Sequence, residues 1–110
     1  MAVNELQKTI SALAFETLAQ LDGYEVSIKE CCARWPDFAA YSDACKRLEQ
    51  IRLCSGSVAR LSVPVVALVI AHAELIFRLS DNQPPVDCRA QLLASVSALR
   101  RRLLELIRSG

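Results

Sequence analysis

His72 is the only histidine in the chain. A lone imidazole can act as a pH switch, a proton shuttle or a phosphoryl acceptor. At helical spacing it shares a face with Leu61, Val65, Leu68, Ile76 and Leu79, away from Glu74. That company predicts a neutral core or interface histidine holding one hydrogen bond. A phosphoryl acceptor needs an exposed ring with a basic neighbour, which the pattern does not offer. The five cysteines are Cys31, Cys32, Cys45, Cys54 and Cys88. They lack the paired C-x-x-C spacing of zinc sites, so no metal and no cofactor is expected, and thiols filling helix faces are the main reading. A metal site built from Cys31, Cys32 and a distant thiol is the lesser one. A nucleophilic thiol paired with His72 needs a polar setting that favours the thiolate, and the residues around both are apolar. The run Arg100–Arg102 turns by about 100° per residue around a helix, so it is not one patch. It reads as a solvated helix end, with docking of an acidic partner face as the alternative. Without interleaved aromatics or a wide basic surface it does not predict nucleic-acid binding.

Composition bounds the rest. With 110 residues, 53% of them hydrophobic, and only 3 Gly and 4 Pro, the chain makes one domain with a real core and favours a compact helical protein. Such a composition leaves apolar surface over for an oligomer or a partner. The net charge of +1 gives no argument for a polyanion or an anionic membrane. The N-terminal segment MAVNELQK lacks the basic and apolar regions of a signal peptide. Together with an odd number of cysteines, two of them adjacent, this predicts reduced thiols and a cytoplasmic location.

The elements follow from periodicity. Asn4 with Gln7 resembles a capping box, and Leu6, Ile10, Leu13, Ala14, Thr17 and Leu21 form a helical stripe that Asp22-Gly23 is expected to stop. Ser27 with Glu30 suggests a second box and a short extra helix, Ile28–Arg34, ended at Trp35 by Pro36. The next helix starts at Pro36 or Asp37 and runs to about Cys54, with Phe38, Tyr41, Cys45, Leu48 and Ile51 as its stripe. After Ser55-Gly56-Ser57, the most apolar stretch, Leu61–Leu79, begins at a Ser62 cap with Pro64 in the first turn. Apolar around most of its girth, it is expected to be the central helix, packed on several sides. A membrane span needs roughly 20 apolar residues. His72, Glu74 and Arg78 interrupt this window, each charge costing about 2.5–3.5 kcal/mol at mid-bilayer, so no membrane is expected. Asp81–Pro85 is a loop, and Asp87 caps a last helix running to about Arg108. There Cys88, Leu92, Val96, Leu99, Leu103 and Leu106 form a near-heptad seam. The sum is an all-α fold: an antiparallel bundle of four main helices with one short extra helix, a single domain over 1–110.

Two surfaces stand out for a partner. Leu93, Leu104 and Ile107 lie about 80–140° round from Leu99 with Arg100 among them, a second stripe that suits a homodimer or partner contact rimmed by arginine. Tyr24, Trp35 and Phe38 gather around the short helix, and aromatics of this kind anchor interfaces. The competing reading of each is ordinary packing.

The segment Trp35-Pro36-Asp37-Phe38, followed by Tyr41, Ala44, Lys46, Leu48, Ile51 and Arg52, resembles a pattern in the small helical immunity proteins that neutralise toxins of bacterial type VI secretion. The likeness covers about a fifth of the chain, and the long apolar helix and the C-terminal helix depart from the family. It implies binding and blocking of another protein and assigns no functional residue. The expected function is therefore a non-catalytic protein that binds and inhibits a protein partner, as an immunity protein or as an antiactivator covering a regulator's dimerisation surface. A structural or scaffold subunit is the alternative. A small helical-bundle enzyme comes third, requiring Arg52 or Arg89 to point into an enclosed pocket.

Overall fold

A computed structural model describes residues 2–109, with side chains from 9 to 109. Four helices account for nearly all of it: α1 (Ala2–Ala33), α2 (Phe38–Ser55), α3 (Ser62–Ser80) and α4 (Val86–Ser109), with a single 3-10 turn at Ala59–Leu61 leading into α3. They pack as an antiparallel bundle measuring 54 × 21 × 18 Å.

α1 does not stop at Gly23. It runs on to Ala33, so the segment Ile28–Arg34 is not an extra helix but the last turns of α1. The reason is packing. Ala14, Thr17, Leu21, Tyr24, Ile28 and Cys31 step by 3, 4, 3, 4 and 3 and are all fully buried. Continuing that stripe outweighs the cost of about 1 kcal/mol for a mid-helix glycine. Gly23 also has a local use, since a Cβ there would stand 2.8 Å from the Arg47 guanidinium carbon of α2. The guanidinium of Arg47 lies over α1 in the space that the missing side chain leaves. Ser27 caps nothing; its hydroxyl donates to the Asp43 carboxylate across to α2. The backbone is already helical at Ala2, ahead of Asn4, while the side chains of Asn4, Leu6 and Gln7 lie outside the described residues.

α2 starts as its sequence requires. Asp37 is the N-cap, its carboxylate accepting the Ala40 N–H at 3.1 Å. The buried face is Ala40, Ala44, Leu48, Ile51 and Ser55, one step round from the expected stripe. Tyr41 and Cys45 are therefore half-buried and Phe38 faces solvent. Ser62 is not a cap either: the preceding 3-10 turn makes it the first residue of α3, with Leu61 in the capping position. The turn after α3 is closed by Asn82 at φ 53°. α4 begins at Val86, which puts Asp87 in the first turn, where its charge complements the helix dipole without capping. The α4 seam is buried as the spacing predicts: Cys88, Leu92, Val96, Leu99, Leu103 and Leu106.

The hub of the bundle is α1, which packs along both α2 and α4, whereas α3 leans mainly on α4 and only thinly on α2. This corrects the expectation of a central α3 packed on several sides. Only one face of α3 is enclosed: Val65, Leu68, Ala71, His72 and Leu75.

Candidate functional site

Two features of this bundle are candidates for function: a buried polar cluster around His72 and the outer face of α3. In the first, α3 turns the imidazole inward until it is 5% exposed. α1 supplies Tyr24, whose hydroxyl lies 2.7 Å from Nδ1. α2 supplies Cys45, with Sγ 3.7 Å from Nε2, and Tyr41, whose ring stacks on the imidazole at 5.7 Å and 12°. Both tautomers satisfy the ring. Either Tyr24 donates to Nδ1 and Nε2–H points at the sulfur, or Nδ1–H donates to the phenol oxygen and the thiol donates to Nε2.

The electrostatics of the cluster keep it neutral. Burial lowers the His72 pKa below its ordinary value. Burial also raises the phenols of Tyr24 and Tyr41 well above the usual range, reinforced by the nearby Cys45. Among the described residues no carboxylate touches the imidazole, so none of them orients it as the base of a catalytic triad or stabilises an imidazolium. What the arrangement does is tie α3 to α1 and α2 through a satisfied polar network. The remaining thiols are of the same kind. Burial raises Cys31 and Cys88, and burial with the adjacent Cys31 pushes Cys32 up to about 11. All five cysteines are free, and no group of three metal-ligating side chains comes together among the described residues.

The expected contact residues are distributed as follows. Tyr24 is fully buried, which removes it from any contact surface and makes it a core residue. Trp35 packs half-buried against the core, and Phe38 is 67% exposed, so the three aromatics do not form one surface. On α4, Leu93, Leu104 and Ile107 are half-buried, Ile107 against the core. Arg100 reaches α1 instead of solvent, donating at 2.8 Å to both Asp22 and Glu25. Of this stripe, Arg100 thus serves the seam with α1. Burial alone would raise Glu25, but the Arg100 hydrogen bond and charge hold its carboxyl below the usual value. Arg52 is exposed and paired with Glu49, and Arg89 is exposed; neither points into an enclosed pocket.

The second feature is one that the sequence's apolarity concealed. Val63, Val66, Ile70 and Phe77 on α3 are 78%, 55%, 63% and 63% exposed. With Ala73 they keep a 3-4-3-4 spacing, the a/d pattern of a helix–helix seam, yet they face outward. Between this strip and α4 runs an open groove of about 890 Å³, bordered by Arg60, Ala67, Ala98, Arg101, Arg102 and Glu105. By length and composition alone, Ala59–Ser80 is also long and apolar enough to cross a membrane, and 33% of its most apolar window is buried in the bundle. The seam spacing was visible in the sequence. What was not visible was which of the two apolar arcs of α3 the bundle would cover.

No protein-family model matches the chain, and no curated protein or solved structure matches it either.

Proposed function

We propose that the chain is a non-catalytic helical protein that acts by binding another polypeptide and blocking its activity, as an immunity protein or an antiactivator would. One observation carries this reading: the outward strip Val63, Val66, Ile70 and Phe77 on α3. Singly exposed apolar residues are ordinary, but an ordered strip of them on one helix marks an interaction site. Its heptad spacing suits a helical segment of the partner laid alongside α3. The contact surface is accordingly assigned to α3, with Phe38 as a separate exposed anchor.

The reading is tested by affinity capture from the source cell with the wild-type chain and with Phe77→Asp, which alters an exposed side chain and leaves the core intact. A protein retained stoichiometrically by the wild type and lost by the variant is the expected result. An identical captured set for both chains refutes the assignment. A structural subunit is the second reading, favoured by the same heptad spacing, and it is distinguished by a large stoichiometric assembly in place of a removable complex.

A further inference from the structure

We propose that the α3 strip is also where a second copy of this chain docks, α3 against α3 in the antiparallel sense. The inference rests on the same face as the preceding reading but names its occupant. The argument is the distribution of charge along the strip. Arg60, Ala67, Glu74 and Asp81 recur every seven residues on the flank nearest α4. The N-terminal half of that flank is net basic: Arg60, Arg101 and Arg102 border one groove with Glu105, and Glu105 pairs with Arg102 at 3.5 Å, which leaves Arg60 and Arg101. The C-terminal half carries Glu74 and Asp81 against one cation, Arg78, which hydrogen-bonds Gln83 at 2.9 Å and keeps its charge, so this half is net acidic by one. Among the described residues, Arg60, Arg101, Glu74 and Asp81 form no ion pair.

A two-fold axis near Ile70 satisfies both halves at once. In an antiparallel seam, like flanks meet, so Arg60 and Arg101 of one copy face Asp81 and Glu74 of the other, twice per dimer. Phe77 of one copy then lies over Val63 and Val66 of the other, and Ala73 makes room for Ile70. A parallel pairing would instead set this flank against the opposite one, which carries Val69 and Ile76, and would leave these charges unmatched. The strip from Val63 to Phe77 is about 21 Å long at helical rise. Two such strips bury on the order of 1,000 Å², the lower edge for a specific interface. The dimer is therefore weak and concentration-dependent.

Sedimentation equilibrium across a concentration series tests this. Wild-type chain shows a monomer–dimer equilibrium, and Ile70→Glu is monomeric with unchanged helicity by circular dichroism, Ile70 being exposed in the fold. Arg60→Asp and Asp81→Arg each weaken the dimer by about tenfold, since each turns two favourable contacts into like-charge ones, and the double variant restores it. A chain that stays monomeric up to ~1 mM overturns the proposal. So does a dimer indifferent to Ile70→Glu, or a double variant that fails to rescue. Binding of monomeric wild type to phosphatidylcholine–phosphatidylglycerol vesicles, abolished by Ile70→Glu, also overturns it by putting lipid on the face. If the wild type is monomeric while Phe77→Asp still loses a captured protein, this inference falls and the inhibitor reading stands.

Discussion

Replacing Tyr24 by Phe tests the account of the buried cluster. The substitution keeps the ring that fills the core between α1 and α3 and deletes one oxygen. Tyr24 has no exposed surface and His72 is 5% exposed, so water does not replace the lost partner at Nδ1. The 2.7 Å hydrogen bond is lost and a ring nitrogen is left unpaired, which together cost about 1–3 kcal/mol. A domain of this size is stable by roughly 5–15 kcal/mol, so the loss is a sizeable share. It lowers Tm by about 4–8 °C per kcal/mol. The assay is urea unfolding at pH 7.5 followed by circular dichroism, with wild type, Tyr24→Phe, His72→Leu and the double variant. The two singles share one hydrogen bond, so the double loses less than their sum, with a coupling of roughly 0.5–3 kcal/mol. A Tyr24→Phe midpoint and slope indistinguishable from wild type, or strictly additive singles, refutes the claim that this bond holds α3 to α1.

The same ring sets an acid dependence. An unfolded imidazole takes its proton near pH ~6.5, while burial holds folded His72 lower. Between those values the unfolded chain binds more protons. The stability from the neutral ring is whole above about pH 6.5 and is lost as the pH falls toward the folded value. Urea midpoints from pH 7.5 to 5 fall in wild type and stay flatter in His72→Leu; the loss tied to Glu25, whose folded pKa is also lowered, begins further down, near its ordinary pKa of about 4.3. Gly23→Ala raises stability by up to about 1 kcal/mol through helix propensity. The new methyl meets only the flexible end of Arg47, whose contacts with Gln20 and Asp43 can shift; a fall in the thermal midpoint shows instead that the Arg47 crossing matters more. Arg100→Met costs about 0.5–1 kcal/mol, since the pairs with Asp22 and Glu25 are partly exposed, and the difference from wild type shrinks in 1 M salt in a titration of thermal midpoints.

How far the sequence could be read depended on what each position has to satisfy. The α4 seam was legible because Cys88, Leu92, Val96, Leu99, Leu103 and Leu106 keep an unbroken near-heptad spacing, which the shorter second stripe of that helix does not. The start of α2, expected at Pro36 or Asp37, was legible to within two residues because capping is settled locally; Asp37 is the cap and Phe38 the first helical residue. Gly23 was misleading because its local preference for a turn competes with a stripe running through Leu21, Tyr24 and Ile28, and long-range packing won. α3 misled in the opposite way. With two apolar arcs, periodicity says that it is greasy but not which arc the other helices reach. The His72 cluster was half legible: the ring's inward direction came from its neighbours on α3, while Tyr24, Tyr41 and Cys45 come from other helices, and no spacing within α3 points to them. Arg100 was assigned outward because its partners, Asp22 and Glu25, are more than seventy positions away along the chain.

The polar knot at His72 has one more consequence. Leucines and valines are poor at telling one helical turn from the next, and a slide of α3 by about 5.4 Å would exchange one greasy contact for another at small cost. It would not do so for the imidazole, which would strand both its own nitrogens and the Tyr24 hydroxyl in hydrocarbon. The knot therefore acts as a detent, fixing the height of α3 on the bundle and with it the position of everything that α3 displays on its other side.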